Sequence, residues 1–182
     1  MNEALYTATA PNSADTRRRA RFDRLCVPFR ADLLRFAIWL TRDTALAEDV
    51  VQNTMIRAWN HLDTLQDEAA MRGWILTIAR REVARAYQRK SLDTVDIDNL
   101  SPADTAALAF NGTPEIYDLR KAIWSLPVDY REPLVLQVML GFTTQEIATQ
   151  LGVTRAAVLT RLFRAREKLR DALAAKPEDG RS

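Results

Sequence analysis

From Phe22 onward, the apolar residues Phe22, Leu25, Phe29, Leu33, Phe36 and Leu40 recur at spacings of three and four, the repeat of one helical face. Pro28 lies inside this run and predicts a kink or a restart. After a break at Asp43 and Thr44, the series Leu46, Val50, Val51, Met55, Ala58 and Leu62 predicts a second amphipathic helix. A polar loop follows over 63–68. A third helix is expected over 70–89, with Met71, Ile75, Ile78, Ala79, Val83 and Ala86 on its buried side. These helices predict a small bundle over 22–90, preceded by a disordered tail, 1–21.

Between 91 and 114 the pattern fails. The segment SLDTVDIDNLSPADTAALAFNGTP holds two prolines, a glycine, four aspartates and no basic residue, and it reads as a flexible acidic linker. Ile116, Leu119, Ile123 and Leu126 then open a second helical set, and Leu126-Pro127 ends its first member. A helix over 130–140 is closed by Gly141 as a C-cap. Thr143-x-x-Glu146 reads as a capping box opening a short helix with Ile147 and Leu151 inward. Gly152 makes the turn, Thr154 can cap the last helix, and Val158, Leu162, Ala165 and Leu169 face its core. The expected second unit is 115–175, with a tail at 176–182. Without strand alternation anywhere, the fold class is all-α, two small helical bundles, the second containing a helix-turn-helix.

Composition narrows the function classes. The 182 residues are 47% hydrophobic and 27% charged, as in ordinary globular proteins. One cysteine, Cys26, precludes an intrachain disulfide, and one histidine, His61, leaves no zinc site of the Cys/His kind. No apolar run approaches the roughly 20 residues needed to cross a bilayer, and no signal peptide is evident. A cytoplasmic protein is expected, without membrane insertion. His61 has no evident nucleophile partner, Cys26 lies among apolar helical residues, and the aspartates lack a metal-loop spacing. No enzyme activity, metal or cofactor is expected.

The formal charge is only +2, from 26 basic and 24 acidic residues, but it is an average over opposites. Residues 72–90 hold Arg72, Arg80, Arg81, Arg85, Arg89 and Lys90 against Glu82, a net of +5. Residues 91–114 carry −4, and 152–176 carry +5. Two basic surfaces joined by an acidic tether suggest one polyanion touched at two places; two solvated helix faces are the alternative.

The stretch TQEIATQLGVTRAAVLTRLFRAR, 144–166, has helix-turn-helix spacing. Arg155, Leu159, Thr160, Phe163 and Arg164 lie away from the stripe Val158, Leu162, Ala165, placed to reach base edges and phosphates of a major groove. A hairpin used only for packing is the alternative. Trp74, Arg81 and Arg85 are spaced by seven and four, on one stripe of the third helix. An indole beside guanidinium groups can stack on an unpaired base while neutralising its backbone; equally, Trp74 can belong to the core. The second helix exposes Glu48, Asp49, Gln52, Asn53 and Arg57, which a solvated face explains.

Taken together, AEDVVQNTMIRAW, MRGWILTIAR and LPVDYREPLVLQVMLGFTTQEIATQLGVTRAAVLTRLFRAREKLR resemble, in this order, the extracytoplasmic-function (ECF) group of bacterial RNA polymerase sigma factors, of the sigma-70 family. The likeness covers about residues 22–173. It implies a region 2 domain at 22–90, which binds core polymerase and recognises and melts the minus-ten element. It also implies a region 4 domain at 115–175, which reads the minus-thirty-five element in duplex DNA. Asp49, Gln52 and Asn53 would face core RNA polymerase. The loop 62–71 would capture a flipped base, with Arg72, Trp74, Arg81 and Arg85 beside the melted non-template strand. An anti-sigma factor would be a further partner, and the protein would join the nucleoid when on polymerase.

Four positions depart from the family pattern. Arg81 and Arg85 stand where asparagine and aspartate are usual, Leu159 where a basic residue is common, and Asn53 where glutamate is usual. A leucine cannot bond guanine but can touch a thymine methyl.

The tether bears on this geometry. Its 24 residues extend to at most about 80 Å and coil to roughly 25–30 Å. Promoter elements about 17 base pairs apart are separated by roughly 58 Å. Both splayed and closed states are therefore within reach. A sigma-like decoy that sequesters an anti-sigma factor, or a helix-turn-helix regulator independent of polymerase, are the alternative functions.

Overall fold

The computed structural model describes residues 13–93 and 113–174, and every regular element among them is helical. Their order is α1 (Ser13–Leu25), α2 (Arg30–Thr41), α3 (Thr44–Asn60), α4 (Met71–Asp93), α5 (Pro114–Ser125), α6 (Val128–Val138), α7 (Thr144–Leu151) and α8 (Arg155–Ala174). No helix among the described residues is long and apolar enough to cross a membrane.

The first bundle is α1 to α4. At Pro28 the chain restarts through a 3-10 turn, Val27–Phe29, with proline early in the turn, where its missing N–H costs least. α2 stops at Arg42, which takes a left-handed φ of 59°. Asp43 then caps α3, its carboxylate accepting the Leu46 N–H at 3.0 Å. Leu33, Phe36, Leu40, Val50, Val51, Ala58, Leu62, Ile75, Leu76, Ala79, Val83 and Ala86 form the core between α2, α3 and α4. Most of these follow the predicted stripes; Leu76 was not among them, and Ile78 is only half-buried.

Three expected boundaries shift. The tail expected over 1–21 is helical from Ser13, because α1 gains its partners from segment 59–68, far along the chain and invisible to local periodicity. The third helix runs to Asp93 rather than 89, and α6 ends at Val138 rather than 140. Residues 94–112, most of the expected linker, and the tail 176–182 lie outside the described residues.

In the second bundle Gly141 and Gly152 both adopt φ of +65°, the left-handed turn that glycine enters without strain. Gly141 N–H bonds to the Gln137 carbonyl and Phe142 N–H to the Leu136 carbonyl, which reverses the chain after α6. α7 opens with a complete capping box: the Glu146 N–H donates to the Thr143 hydroxyl oxygen, and the Thr143 N–H and hydroxyl donate to the Glu146 carboxylate. Thr154 caps α8 by accepting the Ala157 N–H at 3.1 Å.

The capping box gives the helix-turn-helix an acid sensitivity. The Thr143 backbone N–H, and secondarily its hydroxyl, hold the Glu146 carboxyl below the usual range. A depressed folded value means stability present above the unfolded value and lost as pH falls through the folded one. Loss of helix content below about pH 4.3 is expected to weaken in a Glu146→Gln chain, whose amide still caps; circular dichroism of the two between pH 7 and 3 measures the difference.

The two bundles share one contiguous core. Trp39 of α2 meets Trp124 of α5 edge to face at 5.8 Å. Arg131 of α6, only 4% exposed, donates to the Trp124 carbonyl at 2.8 Å and across to the Leu40 carbonyl at 3.2 Å. Tyr87 also donates to that carbonyl. Arg80 of α4 pairs with Glu132 at 2.5 Å and donates to the Gln150 carbonyl. The Gln150 amide donates to the Gly73 carbonyl at 3.1 Å and its oxygen accepts from the Thr77 hydroxyl at 3.1 Å. A Cβ on Gly73 would come within 2.7 Å of that amide nitrogen, so glycine permits this close seat.

Candidate nucleic-acid interface

The helix-turn-helix is α7, Gly152 and α8. Val158, Leu162 and Ala165 are buried on one face of α8, so the remaining residues turn outward by helical periodicity. Leu159 and Phe163 are 49% and 56% exposed, an apolar pair one turn apart on the open face. Arg155 is exposed and donates to the Thr144 hydroxyl at 3.2 Å, tying the start of α8 to α7. The exposed Thr160 hydroxyl bonds back to the Ala156 carbonyl. Arg164 pairs with Glu167 at 2.8 Å and lies 6.0 Å from the Phe163 ring centroid. All five sequence-selected residues thus share the exposed side of one helix.

On α4 the selected residues separate. Arg81 is exposed, and Trp74 is half-buried and packed against the core cluster. Arg85 is paired with Glu82 one turn earlier. Glu82 is 3% exposed and also meets Arg57 of α3 at 2.5 Å. Two guanidinium groups stabilise a carboxylate that would be costly to bury alone. Arg72 stacks on Phe142 of the second bundle, 4.1 Å from the ring centroid, so in this arrangement it is engaged between the bundles. Asp49 and Gln52 are exposed and Asn53 is half-buried on the outer side of α3.

Three groups were not singled out from sequence. Glu82 was visible as the one acid in a basic segment, three residues before Arg85, and that i,i+3 spacing was a usable signal. Arg131 and the arginines of α1 had none, since their partners are carbonyls and side chains far along the chain. Among the described residues no group of three or more His, Cys, Asp and Glu side chains could hold a metal ion. Burial pushes the Cys26 thiol up to about 11, which leaves it protonated at neutral pH.

Comparison with known proteins places this geometry. The Sigma-70 region 2 family model matches residues 27–92 and the Sigma-70, region 4 model matches residues 116–169. The ECF RNA polymerase sigma factor SigL of Mycobacterium tuberculosis is 33% identical over 145 residues, spanning 77% of this chain and 81% of that protein. The ECF sigma factor SigM of Bacillus subtilis is 27% identical over 81% of this chain and 92% of its own length. Among solved structures, the sigma factor RpoE of Bartonella quintana, determined with the anti-sigma factor NepR, superposes with a TM-score of 0.71 at 25% identity, covering 86% of this chain and 99% of that one. The all-helical order, the helix-turn-helix and both region matches agree, and the chain belongs to the ECF group of sigma-70-family RNA polymerase sigma factors.

Proposed function

We propose that this chain is a promoter-specificity subunit acting in the cytoplasm. It binds core RNA polymerase through the outer side of α3 at Asp49, Gln52 and Asn53, reads a minus-ten element with the loop 62–71 and α4, and reads a minus-thirty-five element with α8. The observation that carries this reading is that both sigma regions occur in one chain, each with an exposed helix surface bearing arginines. On α8, Arg155 and Arg164 flank Leu159 and Phe163. Guanidinium groups hold phosphates and bond guanine, while the apolar pair suits thymine methyl groups. The anti-sigma factor NepR bound to RpoE supports a comparable inhibitor for this chain.

Adding the purified chain to core polymerase on a genomic template and scoring run-off transcripts tests the proposal. Specific transcripts are expected, and they should be lost in an Asp49→Lys, Gln52→Ala, Asn53→Ala chain that still binds duplex DNA. Absence of any transcript, with binding to an anti-sigma protein intact, would favour the decoy; duplex binding without polymerase dependence would favour a conventional regulator. On α4 the two arginines should differ. Arg81 is free to meet phosphate, whereas Arg85 is already paired with Glu82. Arg81→Ala should lower the logarithmic salt slope of promoter binding by about 1, and Arg85→Ala by less. Identical slopes for both variants and the parent would contradict phosphate contact.

A further inference from the structure

The loop 62–71 carries Asp63, Asp67 and Glu68 and no basic residue. For a segment proposed to receive a nucleic-acid strand, that charge is of the wrong sign. α1 compensates it. Arg18 donates to the Trp59 carbonyl at 2.7 Å, lies 3.5 Å from the Asp63 carboxylate and stands 5.1 Å from the Trp59 ring centroid. Arg21, one turn on, donates to the Leu65 carbonyl at 2.7 Å and to Glu68 at 3.2 Å. Arg24, a further turn on, grips Glu68 with two bonds of 2.9 and 3.0 Å, the bidentate geometry that fixes orientation as well as charge. These arginines recur every three residues and lie on one side of α1.

From inside the fold, Leu62, Leu65 and Met71 anchor the same loop in the core. The loop is thus held from two sides, by apolar side chains beneath and by α1 alongside. Gln66, Asp67, Ala69 and Ala70 remain exposed. We propose that α1 is the brace of the base-selecting loop: Arg18, Arg21 and Arg24 are positioning residues that hold segment 59–68 in the shape that receives an unstacked base and neutralise its Asp63 and Glu68 carboxylates toward the incoming backbone. The inference rests on the base-capture reading given under Proposed function. A pocket discriminates bases only when its walls are held in place. Exposed ion pairs add little to global stability, so the brace should be seen in selectivity more than in melting temperature.

The test uses holoenzyme assembled from the full chain and core RNA polymerase. Its probe is a pool of short single-stranded DNA with randomised central positions. Wild type should enrich a sequence, and the four single-base versions at its most selective position then give a discrimination ratio. In an Arg21→Ala, Arg24→Ala chain that ratio should fall about ten-fold, the scale of one well-read base, while affinity for duplex recognised by α8 stays within about two-fold. Glu68→Gln, an exposed single change that leaves the apolar anchors in place, should lower the ratio in the same direction. The charge reversal Arg24→Glu with Glu68→Arg should restore part of it. Arg17→Ala with Arg19→Ala, exposed residues of the same helix, should leave it unchanged.

An unchanged ratio in both the double alanine chain and Glu68→Gln, with wild type discriminating, overturns the brace alone. A wild-type holoenzyme with no base preference overturns the base-capture reading and the brace with it.

Discussion

A chain carrying Glu132→Ala and Gln150→Ala should bind an unpaired minus-ten strand about ten-fold more tightly than the parent in the absence of polymerase. Both changes lie on the second bundle, so the surface of α4 is chemically untouched. What they remove is the carboxylate partner of Arg80 and the amide seated on Gly73 and Thr77. With these contacts in place α7 lies against α4, and Arg72 is stacked on Phe142. Two promoter elements roughly 58 Å apart cannot be held by bundles that touch, so the proposed reading of both elements requires this interface to separate first.

The interface is built to be separable. Arg131 is buried with carbonyl partners and no carboxylate, and burial, reinforced by repulsion from Arg42 and partly opposed by Tyr87, brings its guanidinium down to about 10. A base whose value is depressed on burial costs stability while it stays charged, so at neutral pH the closed packing bears that cost. Trp124 Nε1 and Arg131 Nε are buried without a protein partner, a further cost to the packed state. Small-angle scattering should follow the change. A compact chain of 182 residues has a radius of gyration of about 16 Å, which should rise in the double variant. Unchanged scattering together with unchanged strand affinity would sink the idea that these contacts hold the bundles together.

Leu162→Ala should be the most damaging single change to α8. Leu162 is 1% exposed between its buried neighbours Val158 and Ala165. Truncating such a leucine costs about 2–5 kcal/mol through lost transfer energy and the cavity left behind. For a chain of this length that corresponds to a fall of roughly 4–20 °C in melting temperature, at about 2–4 °C per kcal/mol. Affinity for duplex should fall as well, since α8 would no longer hold its outer face at a set angle. Leu159→Ala, three residues earlier on that outer face, should change stability by no more than about 0.5 kcal/mol and act on DNA binding alone. Thermal unfolding by circular dichroism distinguishes them; a Leu162→Ala chain melting within about 2 °C of the parent would contradict the packing.

Much of this was legible along the chain, and for one physical reason. Helical stripes, caps and turns are set by residues within four or five positions of each other, so Leu33, Phe36 and Leu40, the Thr143 to Glu146 capping box and Gly152 could be placed by spacing. The exposed residues of α8 followed from its buried ones by periodicity. The part of α1 before Phe22 was not legible, because it lacks a large apolar residue and the contacts that hold the arginines of α1 lie 41 to 47 positions away. The fate of Arg85 was half-legible. Glu82 stood in plain view at the right spacing, but its burial against Arg57 depended on how α3 crosses α4.

The all-helical chain, the two helical sets, the helix-turn-helix and the outward residues of α8 follow from local periodicity and backbone preference, which residue spacing carries. Which cations are free depends instead on contacts between elements distant along the chain, set by the packed fold. It committed Arg18, Arg21 and Arg24 to the acidic loop, Arg85 to Glu82, Arg80 to Glu132 and Arg72 to Phe142, and left Arg81 exposed on α4. Charge is counted along a chain, but its availability to a partner is settled by what folds against it.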